Sequence, residues 1–467
     1  MTRGIKTKRT SGINAQTSIN LIALVFVNGI SFFATPIISD MIGTEGFGIC
    51  SIYITYVNLF SIICTLQVGS SINTAKIKFE NDFPSFCSNI LILGLGIALL
   101  FVLPVIVLRR SIGALIDLEP SFVICIAIQG VSLSIIGIFN LIQINEKKAQ
   151  RNLFLSLLLV VSTTLLSVLL INLLEGDYFG YIYGLFFPNI LIGLFCLFFV
   201  FRRARPRMNN RHFKYALLFG IPVVFQDLSN IVLNQADRVM LQKSINFSQA
   251  GIYSLGVTFA HVTIIIYQAI NRSWIPFYYE DLKEKKRDLI VSRAKSSMFN
   301  MTCICIGFIL VSKEFFILYA PEEYESAIKV IPVLAFGCFM QYLYFFPVNH
   351  ELYHSNTVMV ATGTVTASAV NILLNTLLIP KYGMMGACLA TAFSYVALFG
   401  FHEFICRTKY PDSYYISISM NVQCIATVFL GYSFYYFFID VWIMRWLLAV
   451  VIGLILLYRI AKRKGLF

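Results

Sequence analysis

Fourteen apolar runs of about 20 residues recur along the whole of this 467-residue chain, and no other feature constrains its fold as much. A run of that length, wound as α-helix, rises about 30 Å, the thickness of a bilayer's hydrocarbon core. The runs lie near 17–39, 47–69, 86–108, 121–143, 152–174, 179–201, 213–236, 250–276, 297–319, 327–348, 356–379, 384–406, 416–438 and 442–460. Barrel strands are about ten residues long and alternate in polarity, so these continuous runs argue against a β-barrel. Only 13% of residues are charged, against about 25% in soluble domains. The expected fold class is an all-α integral membrane protein with about fourteen transmembrane helices. The first run is too long for a signal peptide and is read as helix 1.

The formal charge of +13 reflects topology. With the N-terminus in the cytoplasm, 27 of the 36 Lys and Arg fall in the tails and even-numbered loops. Eight lie on the opposite side, and Arg272 lies inside a span. This bias is the positive-inside rule, and it predicts cytoplasmic N- and C-termini. The basic surplus points to membrane lipid as a partner and not to nucleic acid. The loop "NHELYHSN" (349–356) holds no Lys or Arg and leaves the ends of helices 10 and 11 least defined. Eleven cysteines are scattered singly, as small apolar filler would be, so no disulfide framework, metal site or cofactor is expected.

An internal repeat organises the runs. "GICSIYIT" (48–55) aligns with "GIYSLGVT" (251–258), which sends helix 2 onto helix 8 and makes six helices the repeating unit. An even number of spans returns the chain to its starting side, so the halves are expected to be parallel pseudo-symmetric repeats. The expected division is 1–206 and 207–406 for the six-helix halves, with 407–467 as two additional helices. No Walker loop or appended nucleotide-binding module is present in the sequence.

In lipid a polar side chain needs a protein or water partner, so polar stripes mark inward faces. Helix 1 carries Asn20, Asn28, Ser31, Thr35 and Ser39, and helix 2 carries Ser51, Thr55, Asn58, Ser61 and Thr65. On helix 7, Asp227, Asn230, Asn234 and Asp237 share an arc of about 80°. Helix 8 aligns Ser254, Thr258, His261, Gln268 and Arg272 within about 80°. The polar helices are the first two of each half, the arrangement expected of a wet central cavity. A mid-bilayer charge costs at least about 2.5–3.5 kcal/mol, which singles out Asp227 and Arg272. Asp237 with Arg238 reads equally as a ligand or an interfacial anchor, and His261 as proton-responsive or neutral. Pro36, Pro222 and Pro276 add hinges.

Three segments carry a family resemblance. "TPIISDMIGTEGFGICSIYITYVNLFSIICTLQ" (35–67) resembles the first signature of bacterial polysaccharide exporters of the Wzx type, with the turn Gly43, Thr44, Glu45, Gly46, Phe47, Gly48. "DRVMLQKSINFSQAGIYSLGVTF" (237–259) and "LIPKYGMMGACLATAFSY" (378–395) are similar to the family's later elements. The resemblance implies the multidrug/oligosaccharidyl-lipid/polysaccharide exporter fold, like that of MATE and MurJ. It implies a flippase for undecaprenyl-pyrophosphate-linked repeat units at the bacterial inner membrane, as in O-antigen and lipopolysaccharide synthesis. Other polysaccharide-assembly membrane proteins would be partners. It also implies cavity cations on the pyrophosphate: Arg272 first, with Lys76 and Lys78 as helpers. Gln268, Asn28 and Asn58 are further substrate-binding candidates. Asp227, Asp237, His261, Asn230 and Asn234 are candidates for cavity solvation or for coupling to H+ or Na+. So few cavity cations argue against a strongly acidic glycan.

Two rival readings stand beside this one. A drug or cation antiporter of the same fold would hold an organic cation at Asp227. A membrane enzyme is the other, but a glycan polymerase of such a pathway needs a large periplasmic loop that is absent. An acyltransferase would have only His350 and His354 as a catalytic pair.

Overall fold

The structure, a computed structural model, describes residues 2–463, with side chains described for 25–459, 461 and 462. The side chain of Asn20 lies outside the described residues. Every apolar run falls on a helix. The order is α1 (Thr2–Ile63), α2 (Ile72–Lys78), α3 (Phe83–Val107), α4 (Arg109–Ile116), α5 (Pro120–Asn145), α6 (Ala149–Leu173), α7 (Tyr178–Arg203) and α8 (Asn210–Ser244). There follow α9 (Phe247–Ala260), α10 (Val262–Lys283), α11 (Arg287–Tyr319), α12 (Ile331–Tyr353), α13 (Thr357–Tyr382), α14 (Met384–Lys409), α15 (Ile418–Phe437) and α16 (Trp442–Arg463). Among the described residues twelve spans are long and apolar enough to cross a membrane. The first of them bends at Gly43 and so supplies two of the expected runs, and α15 completes fourteen.

Gly43 shows how the chain turns between the first two runs. Its φ of 69° is open to glycine and strained for other residues, so the Gly-rich turn read in the sequence lies at the break in α1. The eighth run also breaks, at His261, where α9 ends and α10 begins without a Gly or Pro at the junction.

The chain packs as two compact units, Met1–Ile231 and Val232–Phe467, with α8 running through the boundary. In the first unit α2, α3, α5 and α7 bury Phe79, Phe83, Phe86, Ile138, Phe139 and Cys196. The α6–α7 contact depends on small residues. A Cβ on Gly184 would lie 2.3 Å from the Cα and Oγ of Ser167, and one on Gly180 would lie 2.5 Å from the backbone of Ile171. Close backbone approach of this kind is how membrane helices gain packing without a hydrophobic drive. Gly184→Ala is therefore expected to cost about 1–3 kcal/mol, read as a fall of about 3–10 °C in melting temperature in detergent.

Glu146, in the turn between α5 and α6, ties that turn to α7. It accepts from Lys148 Nζ at 2.5 Å and from Arg203. Burial alone would raise its carboxyl, but the bonds from Lys148 and Arg203 outweigh burial and hold it below the ordinary glutamate range. A carboxyl depressed in the folded state stabilises above that range, and the contribution is lost as pH falls through the lower folded value. Wild type should lose stability on acidification below about pH 4.5. Glu146→Gln should start lower at neutral pH and lack that part of the acid loss. Lys148 and Arg203 are open to solvent, so screening keeps the difference to about 1–3 °C in a melt against pH.

In the second unit Tyr267, Trp274, Tyr278, Met301, Tyr342 and Phe346 form the core between α10, α11 and α12. Arg445 of α16 is 1% exposed yet fully used: it donates to Glu314 and to the carbonyls of Leu310 and Phe438. On the same helix Leu447, Leu454 and Leu457 are exposed, as expected of a lipid-facing surface. All eleven cysteines are free thiols, nine of them buried.

Candidate functional site

The polar stripe of α8 divides between two sites. Near its middle, five residues beyond Pro222, Asp227 Oδ2 accepts from Gln67 Nε2 at 2.9 Å. Gln67 belongs to an unusual turn at the end of the second run, where Leu66 and Gln67 adopt φ of 47° and 50°, left-handed values that non-glycine residues rarely take. Gly220 of α8 permits this approach, since a Cβ there would lie 2.3 Å from the Leu66 carbonyl oxygen. Asp227 thus holds a strained turn of the first unit. Beyond that turn the chain enters α2, so Lys76 and Lys78 lie on a separate short helix instead of continuing helix 2. Their ammonium groups rest over the rings of Phe83 (4.4 Å) and Tyr215 (4.2 Å).

Three turns further along α8, Asp237 is buried at 3% exposure in the second unit. Tyr253 Oη donates to its Oδ2 at 2.5 Å, and Thr391 Oγ1 approaches the same oxygen at 3.5 Å. The backbone N–H of Arg238 donates to Oδ1 at 2.9 Å. Behind Thr391 stand two fully buried amides of α13. Asn371 Nδ2 donates to Thr391 Oγ1 at 3.4 Å, and Asn375 Nδ2 donates to Asn371 Oδ1 at 2.9 Å. Asn375 Oδ1 is buried with no hydrogen-bond donor. Beside the carboxylate, Asn234, His261, Tyr253, Thr391 and Tyr395 help line a cavity of about 20 Å³, room for one water-sized occupant. Tyr395 Oη donates to Asn234 Oδ1 at 2.5 Å.

The Asp237 carboxylate, the hydroxyls of Tyr253, Thr391 and Tyr395 and the Asn234 amide oxygen line this cavity as a hard, singly charged oxygen set. Such a set suits a proton or a small monovalent cation. Among the described residues no group of three or more His, Cys, Asp or Glu is placed to hold a metal ion.

The structure therefore brings Asn234, Asp237 and His261 together in the second unit, whereas Asp227 belongs to the first. Asp237 stands inside the fold and does not have the exposure of an interfacial anchor. Asn230 is exposed, and Asn28, Asn58 and Gln268 are half-buried. Arg272 is exposed on α10 and has no carboxylate partner among the described residues. The break at His261 interrupts the stripe drawn through the eighth run. His350 and His354 lie side by side, ring centroids 4.9 Å apart, and the Nε2 atoms of both reach Ser413 Oγ, at 3.1 and 3.4 Å. Fully buried His350 also bonds Tyr278 Oη (2.9 Å), and His354 stacks on Tyr410 at 4.3 Å.

Sequence reasoning missed Gln67, Tyr253, Asn371, Asn375, Thr391 and Tyr395. A signal existed for two of them: Asn371 and Asn375 are four apart in the eleventh run, which places both amides on one helical face.

This architecture is a many-helix membrane fold shared with solved transporters. A solved structure of the lipid II flippase MurJ, in an inward closed conformation, matches it with a TM-score of 0.71 at 13% identity, over 97% of this chain and 98% of that one. An inward-facing multidrug resistance MATE family transporter of the MOP superfamily matches with a TM-score of 0.66 at 12% identity, over 85% of this chain and 99% of that one. The chain belongs to the family described as polysaccharide biosynthesis protein, which matches residues 13–280. A protein of the Lsg locus of Haemophilus influenzae is 26% identical over 285 residues, 59% of this chain and 68% of its own length. An uncharacterized membrane protein of the same organism is 22% identical over 361 residues, 73% of this chain and 84% of its own length.

Proposed function

We propose that this protein is a flippase that carries undecaprenyl-pyrophosphate-linked oligosaccharide repeat units, of O-antigen or a similar surface polysaccharide, from the cytoplasmic to the periplasmic leaflet of the inner membrane. The observation that carries this reading is the family match over residues 13–280, on a chain with a flippase-like fold. Transport runs by alternating access without nucleotide hydrolysis, and a monovalent cation, H+ or Na+, couples at Asp237. The buried carboxylate, its hydroxyl donors and the small cavity beside it support that assignment. Arg272 contacts the pyrophosphate. Its exposure and lack of a carboxylate partner leave its charge available, with Lys76, Lys78, Gln268, Asn28 and Asn58 as accessory polar contacts. The termini are cytoplasmic, as the basic loops favour.

In a strain lacking the gene, surface glycan should disappear and lipid-linked repeat unit should accumulate. The wild-type gene should restore the glycan. Arg272→Ala should restore it at least about tenfold less well, as loss of a charge-assisted phosphate contact of about 1.5–3 kcal/mol requires. Full rescue by Arg272→Ala would remove Arg272 from the site, and failure of the wild-type gene to rescue would remove the function.

A further inference from the structure

We propose that the groove formed by α5, α6 and α7 binds an anionic glycerophospholipid, of the phosphatidylglycerol class, from the leaflet at the basic end of these helices. The cavity measures about 670 Å³, within the usual range for small-ligand sites. Its walls are Phe139 of α5, Phe154 and Leu158 of α6, and Phe195 and Phe199 of α7. Phe154 is 68% and Phe195 56% exposed, so these rings offer unfilled apolar surface to a chain. Polar groups line only one end, where Gln150 and Arg151 stand at the start of α6.

The groove's length selects its occupant. From Gln150 to Leu158 is eight residues of helix, about 12 Å at 1.5 Å per residue, and Phe195 lies two turns before the end of α7 on the other wall. One leaflet contributes about 15 Å of hydrocarbon. The groove therefore ends inside one leaflet and suits a lipid that stays there, not a long polyprenyl chain.

Charge selects the headgroup. The stretches 145–151 and 201–207 contain seven Lys and Arg and a single carboxylate, Glu146. Glu146 is already engaged by Lys148 and Arg203. Arg151 and Arg202 are exposed and have no carboxylate partner among the described residues. A zwitterionic headgroup would bring a further cation to this rim, whereas an anionic one neutralises it. Basic pockets between membrane helices recognise acidic lipids on this principle, at about 1 kcal/mol per Lys or Arg.

The test titrates phosphatidylglycerol and phosphatidylethanolamine of identical acyl chains into delipidated full-length protein and reads binding by native mass spectrometry. Phosphatidylglycerol should bind at least about fivefold more tightly. Arg151→Gln should weaken phosphatidylglycerol about fivefold and leave phosphatidylethanolamine unchanged. Leu158→Trp, which fills the groove from a lipid-facing position, should weaken both while the melting temperature holds. Equal binding of the two lipids, unchanged phosphatidylglycerol affinity in either variant, or displacement of phosphatidylglycerol by an equal concentration of undecaprenyl phosphate would overturn the proposal.

Discussion

Asp237→Asn is expected to lower cation-driven transport by about 10²–10³-fold while leaving the folded protein intact. The expected loss is electrostatic. A cation about 4 Å from a carboxylate gains on the order of 4 kcal/mol at an effective dielectric of 20, and each 1.4 kcal/mol is a factor of ten in affinity. The amide keeps the size of the side chain and an oxygen that accepts from Tyr253, so the bond that anchors Asp237 survives. Asp237→Glu keeps the charge and should retain part of the transport. Gradient-driven transport beside a melting curve for each variant checks this. Equal transport by Asp237→Asn and wild type would take coupling away from this cluster.

Glu351→Ala should produce the largest loss of stability, about 3–5 kcal/mol, or roughly 10 °C in the melt. Glu351 of α12 and His402 of α14 are both fully buried and joined by an Oε1–Nδ1 bond of 2.6 Å. Their outer atoms, Glu351 Oε2 and His402 Nε2, have no other partner. Removing one member leaves the other's polar ring or carboxylate buried and unanswered, which costs far more than the bond contributes. Glu351→Gln retains an oxygen facing Nδ1 and should lose only about 1 kcal/mol. The double change Glu351→Leu with His402→Leu removes both polar groups and should recover most of what Glu351→Ala loses. A melt in which the double variant is less stable than Glu351→Ala would contradict this account.

The fold was legible because its signal is a length. Runs of about 20 apolar residues have one low-energy solution in lipid, and a Gly-rich turn at Gly43 marks where the chain can reverse. The break at His261 was not legible, since neither Gly nor Pro stands there. The turn at Leu66–Gln67 was hidden too, because its left-handed residues are not glycines and are held from Asp227, 160 residues away.

The site was half legible. A narrow polar arc identified α8, but an arc cannot say which partners each residue finds. Asp227 and Asp237 looked like one stripe and serve two different units. Asp237 resembled an anchor because Arg238 follows it near a helix end. What buries it is Tyr253 from the next helix and Thr391, 154 residues on. Asn371 and Asn375 were passed over because Ser, Thr and Asn are common glue between membrane helices, and only their chain of bonds through Thr391 to Asp237 distinguishes them.

The most direct measurement of the flippase assignment uses the lipid-linked repeat unit that accumulates in a strain lacking the gene. The purified protein is reconstituted with it in vesicles, and exposure of its sugar to an external glycosidase is followed under an imposed cation gradient. Wild type should expose glycan from the inner leaflet in a gradient-dependent manner, and Asp237→Asn should expose no more than protein-free vesicles. Wild-type vesicles that release no more sugar than protein-free ones would contradict the assignment.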